Sequence, residues 1–352
     1  MRPIFDYRFS NACAVVRFWG CSFSHLCSSV FIPLRQGFVG QVCGFIGVYL
    51  FFAVSVVSAQ TEPPKAPLPS LLICGKKQNT LTHVTRGKVD WECEWDGPVL
   101  DVQPQPVPDR YLVTGGVNQV SLIRKVWKGC RTLWDWGKLE GILVKSAVVA
   151  DWDTNGNPTL VLAADILGPR LFLADAKTHS SKIRWEYKLP AEPLRVHLCP
   201  DTGNFLVVLK DSSVQEIFFQ EDKVVWTTGK EEGFKDIKDA VRDPWARTYI
   251  ADAAEGSLFC LDPSRNLAWK THLPFASGAC EDMALSIFKK KGKRMVMASV
   301  HFTGDGKVAQ DVIYLLSCET GNVLAWSDRL EKGGYPSFTK AVPDLAVYQK
   351  KE

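Results

Sequence analysis

The sequence lacks the short signatures that announce chemistry most directly. It has 11 cysteines but no Cys-x-x-Cys and no Cys-x-x-Cys-His. Neither a zinc ribbon nor covalent c-type haem is therefore supported. No Gly-x-Ser-x-Gly elbow occurs, and Ser277-Gly278 has no acid–base partner in view, so nothing marks a serine nucleophile. Histidine is scarce, six in 352 residues, and His197 and His301 stand alone. Charge of one sign is missing as well. The net charge of +4 comes from 42 basic and 38 acidic residues, and the first 59 hold four of the former (Arg2, Arg8, Arg17, Arg35) and one of the latter (Asp6), leaving 38 against 37. A near-neutral body gives no electrostatic footprint for nucleic acid.

What the chain does have begins with a distinct leader, residues 1–59. Phe38 to Ala59 is strongly apolar and carries no charge; Arg35 precedes it and Val57-Ser58-Ala59-Gln60 ends it. A basic flank, an apolar core and a small-x-small end describe a secretory signal. The run is also just long enough to span a bilayer, so a retained anchor is the alternative. No cysteine sits at its end, which argues against lipid anchoring there. Pro63, Pro64, Pro67 and Pro69 make residues 60–69 a linker. The stretch before Phe38 is long for a leader and is given no structure. The expected location is periplasmic or secreted, with membrane contact only through an uncleaved leader. The body holds seven cysteines: Cys74, Cys93, Cys130, Cys199, Cys260, Cys280 and Cys318. Most lie in apolar strand text and read as small buried hydrophobes; one or two disulfides fit an oxidising compartment.

From about Leu71 onward, one pattern of 40–50 residues recurs six times. An apolar run opens each copy: Leu71-Leu72-Ile73, Tyr111-Leu112-Val113, Leu160-Val161-Leu162, Phe205-Leu206-Val207, Thr248-Tyr249-Ile250 and Met295-Val296-Met297. A second β-type run follows, then a polar turn and a tryptophan: Trp91, Trp134, Trp185, Trp226, Trp269 and Trp326. A fourth run leads into the next copy. Four short strands at this period predict one blade of a β-propeller. Residues 70–352 are thus expected to form an all-β, six-bladed propeller of four-stranded antiparallel blades. The chain starts on a second strand, so the missing innermost strand of that blade must come from Phe338 to Val342. This closes the ring and removes exposed sheet edges. A surplus run at Leu345 to Tyr348 leaves seven blades as the alternative.

The turns before the tryptophans, such as Lys182-Ile183-Arg184-Trp185 and Lys223-Val224-Val225-Trp226, carry a basic or amide residue near the indole. Together with Leu173-Ala174-Asp175-Ala176-Lys177-Thr178 and Ser317-Cys318-Glu319-Thr320-Gly321-Asn322, they resemble the quinoprotein-like (PQQ-type) propeller repeat, roughly Ala-x-Asp-x-x-Thr-Gly-Lys-x-x-Trp. The resemblance covers about residues 70–348 through degenerate copies, and the Thr320-Gly321 copy has one residue too many before Trp326. It implies that the tryptophans dock blade to blade, a packing role suited to large flat side chains. It does not extend to the quinoprotein dehydrogenase site: no adjacent Cys-Cys pair is present, and six blades fall short of that family's eight. PQQ is not expected.

Two constellations carry candidate chemistry. Aligning the innermost strands places Asp101, Lys145, Arg195, Lys238, Asp282 and Lys340 in one column. Gln103, Ala147, His197, Ala240, Ala284 and Val342 lie two residues on, on the same strand face. Innermost strands line a propeller channel. The ring of charges, with Gln103 and His197 beside it, either holds a small anionic ligand or pairs with itself. The second constellation is Asp151-Trp152-Asp153-Thr154-Asn155-Gly156. Oxygen ligands at Asp151, Asp153 and Asn155 followed by glycine suit a calcium loop and resemble integrin-type repeats, but Thr159 stands where those loops carry a carboxylate. A plain Asn-Gly turn is the alternative. No cofactor is expected other than Ca2+ at that loop. The basic run Lys289 to Arg294 reads as a solvated hairpin tip, with contact to an acidic partner or a membrane surface as the alternative. The reading is an exported, non-catalytic, monomeric binding or scaffolding propeller whose partner is a protein or a small anion. A channel-mouth enzyme of lactonase or sulfotransferase type is the alternative, by analogy of fold.

Overall fold

The computed structural model describes residues 7–10, 13–18 and 21–22 and, from 71 to 341, all except 76–78, 86–87, 96, 106, 108, 116–118, 128, 137–142, 153–157, 166–167, 178–179, 274–278, 291, 304–308 and 327–335. Contacts divide the chain into two units, Met1–Thr61 and Glu62–Glu352. The first contains an antiparallel sheet of β1 (Tyr7–Ser10), β2 (Cys13–Phe18) and β3 (Cys21–Ser22). The sequence reading gives that stretch no structure, so these strands correct it.

The second unit is a six-bladed β-propeller, each blade a four-stranded antiparallel sheet. Blade 1 combines β27 (Pro336–Ala341) with β4 (Leu71–Gly75), β5 (Thr80–Thr85) and β6 (Lys88–Glu94). Blade 2 is β7 (Val99–Pro104), β8 (Arg110–Gly115), β9 (Gln119–Val126) and β10 (Gly129–Trp136). Blade 3 is β11 (Leu143–Trp152), β12 (Pro158–Asp165), β13 (Pro169–Lys177) and β14 (Ser180–Lys188). Blade 4 is β15 (Pro193–Leu198), β16 (Phe205–Leu209), β17 (Val214–Phe218) and β18 (Lys223–Thr228). Blade 5 is β19 (Ile237–Arg242), β20 (Thr248–Asp252), β21 (Ser257–Leu261) and β22 (Leu267–His272). Blade 6 is β23 (Ala279–Lys290), β24 (Lys293–Thr303), β25 (Ala309–Ser317) and β26 (Val323–Trp326). The expected closure is present: Phe338 pairs with Cys74 and Ala341 with Leu71. The run Leu345 to Tyr348 lies outside the described residues.

The sequence accounts for strand order within a blade. Second strands such as Phe205-Leu206-Val207-Val208-Leu209 are buried along their whole length. Continuous β-branched and aromatic runs suit a strand covered on both faces by neighbouring sheets. Outermost strands alternate instead, as Lys223–Thr228 does between exposed and half-buried positions, because only one face is covered.

The six tryptophans sit on the outermost strands, as expected. In five blades the residue just before the tryptophan is bulged out of the ladder: Asp90, Leu133, Arg184, Val225 and Ala268. The bulge aims the indole at the next blade. Trp91 packs among Val102, Tyr111 and Val113 of blade 2, and Trp134 among Val144, Ala147 and Leu160 of blade 3. Trp185 donates to Asp222 of blade 4, the Arg265 guanidinium of blade 5 stacks 4.5 Å over Trp226, and Trp269 Nε1 donates to the Cys318 carbonyl of blade 6 at 3.2 Å. Gly321 explains the last contact. Its φ is +71°, and a Cβ there would come within 2.6 Å of the Trp269 ring, so only glycine lets the turn lie flat on the indole.

Blade 6 departs from this rule. Its bulged residue is Leu324, two before the tryptophan, so Leu315 pairs with Ala325 and Tyr314 with Trp326. The extra residue seen in the sequence turns Trp326 to the opposite face, since neighbouring strand residues point to opposite sides. Trp326 packs back on the blade 5–6 core, while Ala325 faces the blade 6–1 seam beside Leu71, Phe288, Met295 and Met297.

Candidate functional site

Every innermost strand carries a bulge near its start. The unpaired residues are Leu100, Lys145, Leu194, Lys238, Glu281 and Ser337. The residue after each bulge is the one in register around the ring: Asp101, Ser146, Arg195, Asp239, Asp282 and Phe338. This corrects the column read from the sequence. Asp101, Arg195 and Asp282 occupy it. Lys145 and Lys238 are the bulged residues one position earlier, and Lys340 falls two positions later, opposite Leu72. The bulge is common to all six strands and does not displace the copies; the alanines do, since Ala147 and Ala240 stand one residue after the column and Ala284 stands two.

The realised column forms a buried ionic cluster across the axis. Arg195, 6% exposed, extends from blade 4 to three carboxylates on three other blades. Its Nη2 lies 3.4 Å from Asp282, its Nη1 3.7 Å from Asp101 and its Nε 3.8 Å from Asp239. Burial acts to lower the Arg195 pKa, but Asp282, Asp239 and Asp101 more than offset it and hold the group above its ordinary value. The guanidinium therefore remains charged in the interior.

The carboxylates are themselves held by several donors. Ser146 Oγ donates to Asp101 at 2.5 Å, and Gln103 Nε2 donates to the same oxygen at 3.0 Å. Ser146 in turn accepts from the Val196 amide at 3.2 Å, which links blades 2, 3 and 4. Asp239 contacts His197 Nε2 at 2.7 Å and accepts from the amides of Ala240 at 2.9 Å and Leu285 at 2.8 Å. The Met283 amide donates to Asp282 at 2.9 Å. Buried charge persists only when paired and hydrogen-bonded in this way. In sign, the cluster holds three carboxylates and one guanidinium, the reverse of the cation-rich ring expected from sequence.

Lys145 and Lys238 point elsewhere. Lys145 Nζ lies 2.9 Å from Glu192, which also binds Lys210 at 2.9 Å. Hydrogen bonds from Lys145 and Lys210 hold the Glu192 pKa below its ordinary value. Lys238 Nζ lies 2.9 Å from Asp236. The side chain of Lys340 lies outside the described residues, as do Asp153 and Asn155 of the expected calcium loop. Asp151 is exposed at the end of β11, paired in register with Thr159. Among the described residues, no group of three or more His, Cys, Asp or Glu is placed to hold a metal ion.

The sequence reading missed Ser146 and Asp239. The available signal was a polar residue directly after Lys in both Lys145-Ser146 and Lys238-Asp239. It also missed a second ionic cluster, between blades 4 and 5. Glu216 binds Arg242 at 2.8 Å, Asn204 Nδ2 at 2.7 Å and Arg265, while Arg242 also reaches Asp201 at 2.7 Å.

The cysteines whose side chains are described divide into two groups. Cys93 on β6 and Cys130 on β10 form a disulfide between the outermost strands of blades 1 and 2, with Cα atoms 5.6 Å apart. Cys199, Cys260, Cys280 and Cys318 are free. Burial pushes the thiols of Cys199, Cys260 and Cys280 up to about 12 and that of Cys318 up to about 11. None of these four is poised as a thiolate nucleophile at neutral pH.

Comparison with known proteins supports the fold. The chain is similar to a protein of unknown function from Bacteroides caccae, with a TM-score of 0.55 at 13% identity over 78% of this chain and 98% of that one. It also resembles BBS1N as seen in a complex with ARL6DN, with a TM-score of 0.49 at 11% identity over 74% of this chain and 76% of that one. No family model matches the sequence, and no curated protein matches it.

Proposed function

We propose that the protein is an exported, non-catalytic β-propeller of the quinoprotein-like repeat type that serves as a binding scaffold. The observation that carries this reading is the Arg195 cluster. Its charged and polar groups are spent on one another, under 10% exposed at Asp101, Arg195, His197, Asp239 and Asp282. An active site keeps a reactive group free to meet substrate, whereas this cluster ties five blades together. The Cys93–Cys130 disulfide supports an oxidising location, and the spacing of the tryptophan turns supports the repeat type.

The test pairs stability with turnover. Arg195→Met leaves buried carboxylates without their cation and should destabilise the fold by about 3–5 kcal/mol. The wild-type exported form should hold no divalent ion that chelation removes, and it should turn over neither lactones nor sulfate donors. A stoichiometric divalent ion whose removal abolishes lactone hydrolysis would overturn the scaffold reading in favour of an enzyme.

A further inference from the structure

One end of the propeller is unlike the rest of the surface. It is the end where β4 begins, since Leu71 pairs with Val84 beside the turn from β5 to β6. The blade 2 loop before Arg110 and the tip between β9 and β10 lie at this end too, joined by the Lys125 amide donating to the Asp109 carbonyl at 2.8 Å. At that tip Trp127 stands 90% exposed, with Val126 and Val107 exposed beside it and Val89 exposed on blade 1. Single exposed apolar residues are ordinary; a bare indole at a protruding tip flanked by valines is not.

The same tip is basic. Residues 119–131 contain four Lys or Arg and no Asp or Glu. Arg110 pairs in register with Arg124, and Arg124 with Arg131. Three arginines therefore share one row on one face of blade 2. Like charges directly across strands destabilise a sheet, and none of the three has an ion-pair partner among the described residues. The tip is also firmly mounted. Cys130, opposite Lys125, is bonded to Cys93 of blade 1, and Lys125 Nζ binds Asp90 of blade 1 at 2.7 Å. On the other side of blade 1, the blade 6 hairpin contributes Lys289 to Arg294. There Arg294 lies 4.4 Å over the half-exposed Trp245 and pairs with Glu319 at 3.2 Å. The tips of blades 4 and 5 at this end carry mixed charge instead, with Asp201, Glu221, Asp222, Asp243 and Asp262 beside Lys223, Arg242, Arg247 and Arg265.

We infer that the blade 6–1–2 sector of this end docks on an anionic phospholipid surface, with Trp127 at the headgroup boundary and the arginine row, together with Lys289 and Lys293 of blade 6, on the lipid phosphates. Trp is suited to that boundary by its apolar ring and polar N–H, and clustered cations are drawn to an anionic leaflet. The first described strand of the propeller also begins on this end, in blade 1 at the centre of the sector. The inference rests on the binding-scaffold reading and names the partner.

The experiment is vesicle co-sedimentation of the full chain with phosphatidylcholine alone and with phosphatidylcholine mixed with phosphatidylglycerol. Binding should favour the anionic vesicles and weaken with salt. Arg124→Gln and Arg131→Gln should each weaken it about fivefold without lowering the melting temperature, since each relieves a like-charge pair, and Trp127→Ser should weaken it several-fold with unchanged melting temperature because its side chain is exposed. The apolar leader would bind both vesicle types alike and be indifferent to these changes. Equal binding to both compositions, or no loss in the variants, overturns the inference. So does displacement by millimolar inorganic phosphate, or a polyglutamate affinity that falls with the arginines but ignores Trp127, which would point to a soluble anion or an acidic protein. Turnover or a resident metal would instead strike at the scaffold reading and leave the vesicle result standing.

Discussion

Five of the six interfaces between blades are wedged by a tryptophan, and the sixth, between blades 6 and 1, is not. At the wedged interfaces a bulge throws the indole forward onto the next sheet, where Trp185, Trp226 and Trp269 find a carboxylate, a guanidinium and a turn carbonyl and Trp91 and Trp134 an apolar bed. At the blade 6–1 seam Ala325 takes the corresponding place, and Phe288, Met295 and Met297 supply the volume. The same architectural joint is thus built in two ways, one from a single rigid plate and one from several flexible side chains. What separates them is one residue of spacing. The seam is also where the ring is closed by β27, so its blades come from the two ends of the propeller sequence.

This contrast can be broken or sharpened by measurement. The largest effect is expected at a wedge. Trp91, 1% exposed, replaced by Ala should cost about 3–5 kcal/mol in urea unfolding, whereas Trp326→Ala should cost clearly less because its ring is only partly covered. Equal losses would erase the distinction. Next comes the disulfide, which staples blade 1 to blade 2 on the side away from the seam. Cys93 and Cys130 are 37 residues apart, and by the loop-entropy relation Cys93→Ser should remove about 4 kcal/mol. Amide exchange should then show blade 1 opening first. Deleting Leu324 is a smaller and sharper probe. It restores the spacing of the other blades and brings Trp326 to the seam, where side chains already fill the space, so a loss of about 1–3 kcal/mol from overpacking is expected. A gain in stability would mean that the seam has room for a wedge.

The smallest effect concerns pH. His83 stacks on Trp91 with ring centroids 5.3 Å apart. Burial holds its pKa below the ordinary 6.5, against the pull of Asp90. As pH falls below 6.5, the unfolded chain takes up a proton that the folded chain resists. The His83 contribution to stability is therefore present above that pH and is lost below it. A His83→Gln variant should flatten this part of the stability profile between pH 7 and pH 5, and an unchanged slope would remove His83 as its source.

The sequence shows the ring and the wedges plainly, because tryptophan in a degenerate repeat has few other uses and strand runs such as Phe205–Leu209 have no helical period. It even shows the odd spacing before Trp326; the reversal of the indole follows only once strand pairing is known. The inner column is half legible. Asp101, Arg195 and Asp282 align because their flanks are similar. Ser146 and Asp239 are passed over in favour of the bulged residues beside them, Lys145 and Lys238, which look as suitable for a charged channel. Alanines at 147, 240 and 284 draw the copies into the wrong register by one residue. The sign of the cluster follows from that single step, and so does the change from a ring of cations to one guanidinium among carboxylates.

The strand Pro336–Ala341 has a consequence for how the molecule is made. Blade 1 begins at Leu71, yet its innermost strand is synthesised some 265 residues later, last of the described strands. Until it arrives, β4 offers an open row of backbone donors and acceptors at the heart of the unfinished ring. Pairing over so long a separation is slow to form, and the waiting edge is a site for mispairing with another chain. A chain cut just before Pro336 would keep all six tryptophans and the whole ionic cluster and still leave that edge open. The last short strand sets the moment at which the protein stops being an aggregation hazard.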